Sequence, residues 1–222
     1  MWIALRGNSD SNIIIKLSGD TLKISEENQL RGGMYALLAR LLRSVPDQTL
    51  FEQLDAIETA TNDNLDKKSS KGQLGQALNV LKLAAKSVDR EALEEEYHSL
   101  FIGMGRGELV PFGSWYLTGY LMEKPLGVLR EDLLRLGFER QEGIHEPEDH
   151  AAALCEVMSM LILSEDLNEN EALNFFRNHI EPWIDRFYSD LEKAEHACFY
   201  RSVGTLGAEF NRFEKQYLAM LV

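Results

Sequence analysis

The stretch EENQLRGGMYALLARLLRSVPD, residues Glu26 to Asp47, decides the fold class. Leu30, Met34, Leu37, Leu38, Leu41 and Leu42 recur at the i, i+3, i+4, i+7 spacing that lines one buried face of an α-helix. Pro46 cannot continue that helix, because its nitrogen carries no hydrogen and its ring crowds the preceding turn. Asp47 follows as a cap for the next helix, whose apolar stripe is Leu50, Phe51, Leu54 and Ile57.

The same period returns along the chain. Leu74, Leu78, Leu81 and Ala85 form one stripe, and Asp89 caps a helix carrying Leu93, Tyr97, Leu100 and Phe101. Towards the end come Phe175 and Phe176, then Trp183, Ile184, Phe187, Tyr188 and Leu191, then Leu206, Phe210, Phe213, Tyr217 and Leu221. The polar run from Thr61 to Gly72 reads as a surface loop. Between Gly103 and Gly127 the pattern breaks into GMGRGELVPFGSWYLTGYLMEKPLG, which is too apolar for an ordinary linker and reads as a buried or ligand-facing connection. Another helix follows and stops at Gly137. The expected architecture is all-α and bundle-like, a single domain over 28–222. Its helical halves, 28–102 and 146–222, are joined by an irregular Gly/Pro/aromatic segment at 103–145. Residues 1–27 read as an extension, either a short hairpin around Ser18-Gly19-Asp20 or unstructured.

Composition narrows the function. The 222 residues, 45% of them hydrophobic, suffice for a core. Acidic residues outnumber basic ones, 36 to 23, for a formal charge of −13, which repels a phosphate backbone and attracts a basic partner or serves solubility alone. Nucleic acid is not an expected partner. Cys155 and Cys198 show no metal-ligand or disulfide spacing, which fits a reducing compartment. With no basic leader and no run of about 18 apolar residues, the expectation is a cytoplasmic protein without stable membrane insertion.

The densest chemistry lies in IHEPEDHAAALCEVMSMLI, Ile144 to Ile162. His145, Glu146, Glu148, Asp149 and His150 could be metal ligands, but the histidines are five residues apart with Pro147 between them, unlike the i, i+4 spacing of helical zinc ligands. Asp149 and His150 could act as an acid–base pair, but adjacent helical residues project about 100° apart and no nucleophile motif accompanies them. A third reading is structural. With Pro147 at the first helical position, Glu148 and Asp149 meet the helix N-terminus, and His150 heads the stripe Leu154, Val157, Met158 and Leu161. The glycines of Gly103-Met104-Gly105-Arg106-Gly107 lack the Lys-Ser/Thr and helix of a phosphate loop.

Five segments in order resemble the TorD/DmsD-like family of chaperones that mature molybdenum-containing redox enzymes. They are YALLARLLRSVPD (Tyr35–Asp47), YHSLFIGMG (Tyr97–Gly105), PFGSWY (Pro111–Tyr116), EPEDH (Glu146–His150) and FFRNHIEPWIDRFYSDLEKAEHACFY (Phe175–Tyr200). The resemblance covers roughly 28–222. It implies an all-helical fold and a binding role without catalysis, metal or cofactor of its own. The implied partner is an apo-molybdoenzyme with its twin-arginine signal peptide, held in the cytoplasm while its molybdenum cofactor is inserted and so kept from premature export, by a chaperone acting as monomer or dimer.

Carried over by motif, Asp149 and His150 are signal-peptide contacts, with Glu146 and Glu148 as acids at the rim. Tyr97, Leu100, Phe101, Pro111, Ser114, Trp115 and Tyr116 form or support the adjacent groove. Two fixed positive charges followed by an apolar segment call for such acids beside an apolar groove. The alternatives are an assembly factor that binds a folded redox-enzyme subunit without reading the signal peptide, and a metal-dependent enzyme using the His145–His150 cluster.

Overall fold

A computed structural model of the chain describes residues 2–5, 24–57, 70–103, 106–164 and 169–220. It is all-α: ten α-helices, two π-helical turns and a two-stranded sheet lie among the described residues. The hairpin expected around Ser18-Gly19-Asp20 lies outside the described residues, as does Leu221. The chain divides into two compact units, one of Met1–Ala39 with Phe112–Pro182 and the other of Arg40–Pro111 with Trp183–Val222. Each draws on separated parts of the sequence, unlike the consecutive halves expected from the motif order. The division falls within α1 (Glu26–Arg43).

The first unit is organised by α7 (Ala151–Leu163), whose residues Ala151 to Ile162 are all buried. A helix apolar all round belongs inside a domain. Against it lie α8 (Glu169–Phe175) and the π-helical turn Phe176–Ile180, and the unit also contains the first part of α1, α5 (Gly113–Thr118) and, packed on α5, α6 (Lys124–Arg135). Gly32 lets α1 approach closely, since a Cβ there would overlap the Leu163 side chain. The Ser159 hydroxyl donates to the Gly32 carbonyl at 2.9 Å.

Residues 2–5, read from sequence as part of an extension, are built into this unit. Strand β1 (Ile3–Leu5) pairs antiparallel with β2 (Phe138–Arg140), in the register Ile3 with Arg140, Ala4 with Glu139 and Leu5 with Phe138. The short apolar run Trp2-Ile3-Ala4-Leu5 carried no turn signal, so its distant partner was not visible. The segment read as irregular also contains a helix, α5. It ends at Gly119, whose φ of +84° suits a residue without a Cβ.

The second unit contains the last turn of α1, α2 (Gln48–Ala56), α3 (Ser70–Ser87), α4 (Arg90–Tyr97) with the π-helical turn His98–Ile102, α9 (Ile184–Lys193) and α10 (Phe199–Ala219). Ser70 to Gly72, expected in a loop, form the first turn of α3. Asp47 and Asp89 cap α2 and α4 as their positions predict: Asp47 accepts from Leu50 N at 2.8 Å, and Asp89 from Glu91 N and Ala92 N at 3.1 and 3.2 Å. Helices α9 and α10 meet closely at Gly207, where a Cβ would overlap the Tyr188 ring.

Cys198, at the start of α10, offers no side-chain cap. That terminus is capped from α4. The buried Glu96 carboxylate accepts the backbone N–H groups of Cys198, Phe199 and Tyr200 at 2.8, 3.0 and 2.7 Å. Hydrogen bonds to a charged acceptor contribute about 1.5–3 kcal/mol each, and orphaned buried donors are costly. Glu96→Ala is therefore expected to lower the unfolding free energy by about 2 kcal/mol or more, and Glu96→Gln, which keeps one acceptor oxygen, by less. Urea unfolding followed by circular dichroism reads both.

Candidate functional site

The EPEDH turn lies in the first unit, and its geometry corrects the expected helix start. Helix α7 begins at Ala151, so Pro147, Glu148 and Asp149 precede it. His150 N–H donates to the Pro147 carbonyl at 3.2 Å, closing a turn. The N-cap is His150 itself, at φ −64° and ψ 137°, and its Nδ1 accepts from Ala152 N at 3.0 Å. An imidazole nitrogen fills the place that Asp, Ser or Thr usually takes. This frees Asp149 to cap a different helix.

The Asp149 carboxylate is buried, and its Oδ2 accepts from Ser114 N at 2.7 Å, while its backbone carbonyl accepts from Gly113 N at 2.9 Å. Phe112 and His150 form an antiparallel bridge beside it. Residue Phe112, at the N-cap of α5, makes no side-chain cap of its own. Asp149 thus fixes the start of α5 from across the chain. Its other oxygen, Oδ1, and the Ser114 hydroxyl are both buried without a hydrogen-bond partner among the described residues.

Glu148 is 9% exposed and engaged by this chain's own arginines. Arg130 of α6 reaches its Oε2 with Nε at 2.9 Å and Nη2 at 2.8 Å, and Arg140 of β2 stands 3.9 Å from its Oε1. Glu146 and His145 are exposed. The acids of the motif therefore have three conditions: Asp149 builds structure, Glu148 is paired, and Glu146 faces solvent.

His150 is enclosed by aromatic rings, edge to face with Trp2 at 4.8 Å and with Phe112 at 4.9 Å between centroids. The Nδ1 acceptor role leaves the neutral ring's proton on Nε2. Among the described residues no group of three or more His, Cys, Asp or Glu side chains is placed to hold a metal ion.

From Asp149's carboxylate α5 runs six residues, about 9 Å. Trp115 and Tyr116 are half-buried along it. It ends in an exposed apolar corner of Leu117, Tyr120, Leu121 and Met122, with Tyr120 and Met122 each 70% exposed. Met122 has φ +58°, uncommon for a residue with a Cβ and of the kind retained where surrounding structure enforces it. The Thr118 hydroxyl donates to the Ser114 carbonyl and accepts from Tyr120 N, fixing the bend.

The remaining expected groove residues belong to the second unit. Tyr97 and Leu100 are buried there; the Tyr97 hydroxyl donates to the Arg43 carbonyl at 2.9 Å and the Tyr200 hydroxyl to that of Leu41 at 3.0 Å, satisfying the last turn of α1. Phe101 is half-buried against the Tyr97 and Tyr200 rings, and Pro111 is buried. Burial, with the nearby Tyr97 and Glu96, raises the Tyr200 hydroxyl well above the usual phenol value. This unit also holds a cleft of about 420 Å³ lined by Pro46, Phe51, Asp55, Lys82, Lys86 and Leu93 among others. Its lysines are engaged, Lys86 with Asp55 at 2.7 Å and Lys82 with the carbonyls of Asp55 and Ile57.

Sequence reasoning did not single out Trp2, Arg130, Arg140 or Glu156. Glu156 left a signal: it is the one charged residue in the run AAALCEVMSMLIL. A buried acid among apolar neighbours requires donors, and here Trp2 N and Ile3 N supply them at 2.6 and 3.3 Å.

Residues 67–189 match the protein family described as nitrate reductase delta subunit. The chaperone protein TorD of Vibrio atlanticus is 24% identical over 208 residues, 86% of this chain and 96% of that protein. The Haemophilus influenzae protein named "Probable Tat proofreading chaperone DmsD" is 32% identical over 124 residues, 53% of this chain and 57% of its own. A crystal structure from Archaeoglobus fulgidus, described as that of a redox enzyme maturation protein, covers 90% of this chain and 98% of its own at 20% identity, with a TM-score of 0.53, and supports the fold.

Burial lowers the His150 pKa from 6.5 to about 3. Between those values the unfolded chain binds a proton that the folded one refuses, so this contribution to stability is complete above pH 6.5. It is lost as pH falls, at up to about 1.4 kcal/mol per pH unit. His150→Asn, which keeps a capping oxygen, is expected to flatten the fall in stability between about pH 6.5 and 5, above the range where carboxylates titrate. Urea unfolding at several pH values measures it, and an unchanged slope would remove His150 as its cause.

Proposed function

The chain belongs to the nitrate reductase delta subunit family, which includes TorD and DmsD maturation chaperones, and from that premise we propose that it binds the twin-arginine signal peptide of an apo-molybdoenzyme. On this reading it acts in the cytoplasm without catalysis, holding its client while the molybdenum cofactor is inserted and delaying export. The observation that carries the reading is the piece of the first unit described above. The acidic EPEDH turn fixes the start of α5, and α5 ends in an exposed apolar corner.

A signal peptide of this type presents arginines and then an apolar segment, and that surface presents acid and then apolar side chains in the same succession. Glu146 is the open acid at the turn. Asp149 and His150 act by holding the turn and helix in place. The formal charge of −13 favours encounter with a cationic peptide. No helix among the described residues is long and apolar enough to cross a membrane.

Calorimetric titration with twin-arginine signal peptides of molybdoenzymes from the source organism is expected to give saturable binding near 1 μM, about −8 kcal/mol, weakening with added salt. Tyr120→Asp with Leu121→Asp is expected to weaken it by about tenfold or more with little change in stability, since both positions are exposed. Absence of binding by folded protein to every such peptide would reject the proposal. Undiminished association with a client lacking its signal peptide would favour a factor that recognises the folded subunit.

A further inference from the structure

The Trp2–Leu5 segment is held as a bound peptide would be. Its backbone pairs with β2, and Gln141 N donates to the Trp2 carbonyl at 2.9 Å. The Glu156 carboxylate receives its first two amides, the Trp2 ring lies against His150, and Ile3 is 1% exposed. Edge pairing, a carboxylate and an apolar seat are the means by which domains capture extended peptides.

We propose that Trp2–Leu5 is an intramolecular occupant of an extended-peptide site on the first unit, and that an arginine-bearing client peptide displaces it. This rests on the peptide-binding reading above. Three features make exchange feasible. The pairing spans three residues on each strand, and a two-stranded sheet alone is marginal in water. Main-chain pairing along β2 places little demand on the incoming sequence. Release of the strand would also remove from Glu156 the amide donors of Trp2 and Ile3, and a guanidinium, with five N–H donors, is the side chain best suited to replace them. The site therefore fits an extended segment with an arginine at Glu156, an apolar residue in the Ile3 position and an aromatic or aliphatic group against His150.

A reversible lock tests this while leaving the fold in place. Ala4 and Glu139 are directly paired, so their Cα atoms lie about 4.5–5.5 Å apart, within the span of a disulfide. Ala4→Cys with Glu139→Cys, in a Cys198→Ser background that removes the exposed thiol, joins the strands on oxidation. The probe is a synthetic peptide with two consecutive arginines followed by an apolar run, and the competitor is MWIALRGN, residues 1–8.

The oxidised form is expected to bind the probe about tenfold or more weakly than the reduced form, with MWIALRGN competing for the reduced form. Equal binding by the two forms and the unsubstituted protein overturns the displacement while leaving peptide binding intact. No binding by any of the three overturns the peptide-binding reading and the displacement with it. Self-association of the reduced form alone, without probe binding, overturns client occupancy and assigns the site to the strand of a second copy.

Discussion

Backbone N–H groups that reach the interior without a carbonyl to receive them must find another acceptor, and this protein answers that constraint with carboxylates from distant parts of the chain. Glu96 receives the first turn of α10, Asp149 receives α5, and Glu156 receives the amides of Trp2 and Ile3. At the surface Glu108 does the same for the bend before α10, accepting from Glu195 N and His196 N at 2.6 and 3.1 Å. Some of the excess acid that the composition suggested as solubility or partner charge is thus structural. Each carboxylate joins two elements that local helix formation alone would leave independent.

Within the first unit this arrangement makes the EPEDH turn and α5 one mechanical piece. The motif that stands out in the sequence is mostly occupied with its own surroundings: Asp149 with Ser114, His150 with Ala152 and two aromatic rings, Glu148 with Arg130. What this piece leaves exposed is Glu146 and the apolar bend at the far end of α5. A strongly patterned motif is here occupied with holding a less patterned surface in position.

The helical stripes were legible because helix burial repeats every three to four residues. Met34 to Leu42, Leu50 with Leu54, Leu74 to Leu81 and Phe187 with Leu191 are buried as their spacing predicts, although Leu30, in the first turn of α1, is 43% exposed. The caps at Asp47 and Asp89 were legible because donor and acceptor lie within three residues. The caps by Asp149, Glu96 and Glu156 were not, because their partners lie 35, 102–104 and 153–154 residues away. The start of α7 was misplaced for a related reason: local rules assigned the acids to the nearest helix, and tertiary structure assigned Asp149 to another. Of the residues grouped by motif, Asp149 lies in the first unit and Tyr97 and Leu100 in the second.

The interleaved composition of the two units sets an order on synthesis. As the chain leaves the ribosome from its N-terminus, α2, α3 and α4 emerge early but must wait for α9 and α10, because their unit is completed only by residues from Trp183 onward. The first unit, which ends at Pro182, has all its parts sooner, although it also begins with residues made before any of the second. Both therefore depend on pairings of high sequence separation, a topology that folds slowly for its helix content. Until α10 arrives, the carboxylate of Glu96 has no helix to cap, and the apolar faces of α3 and α4 remain in search of a partner.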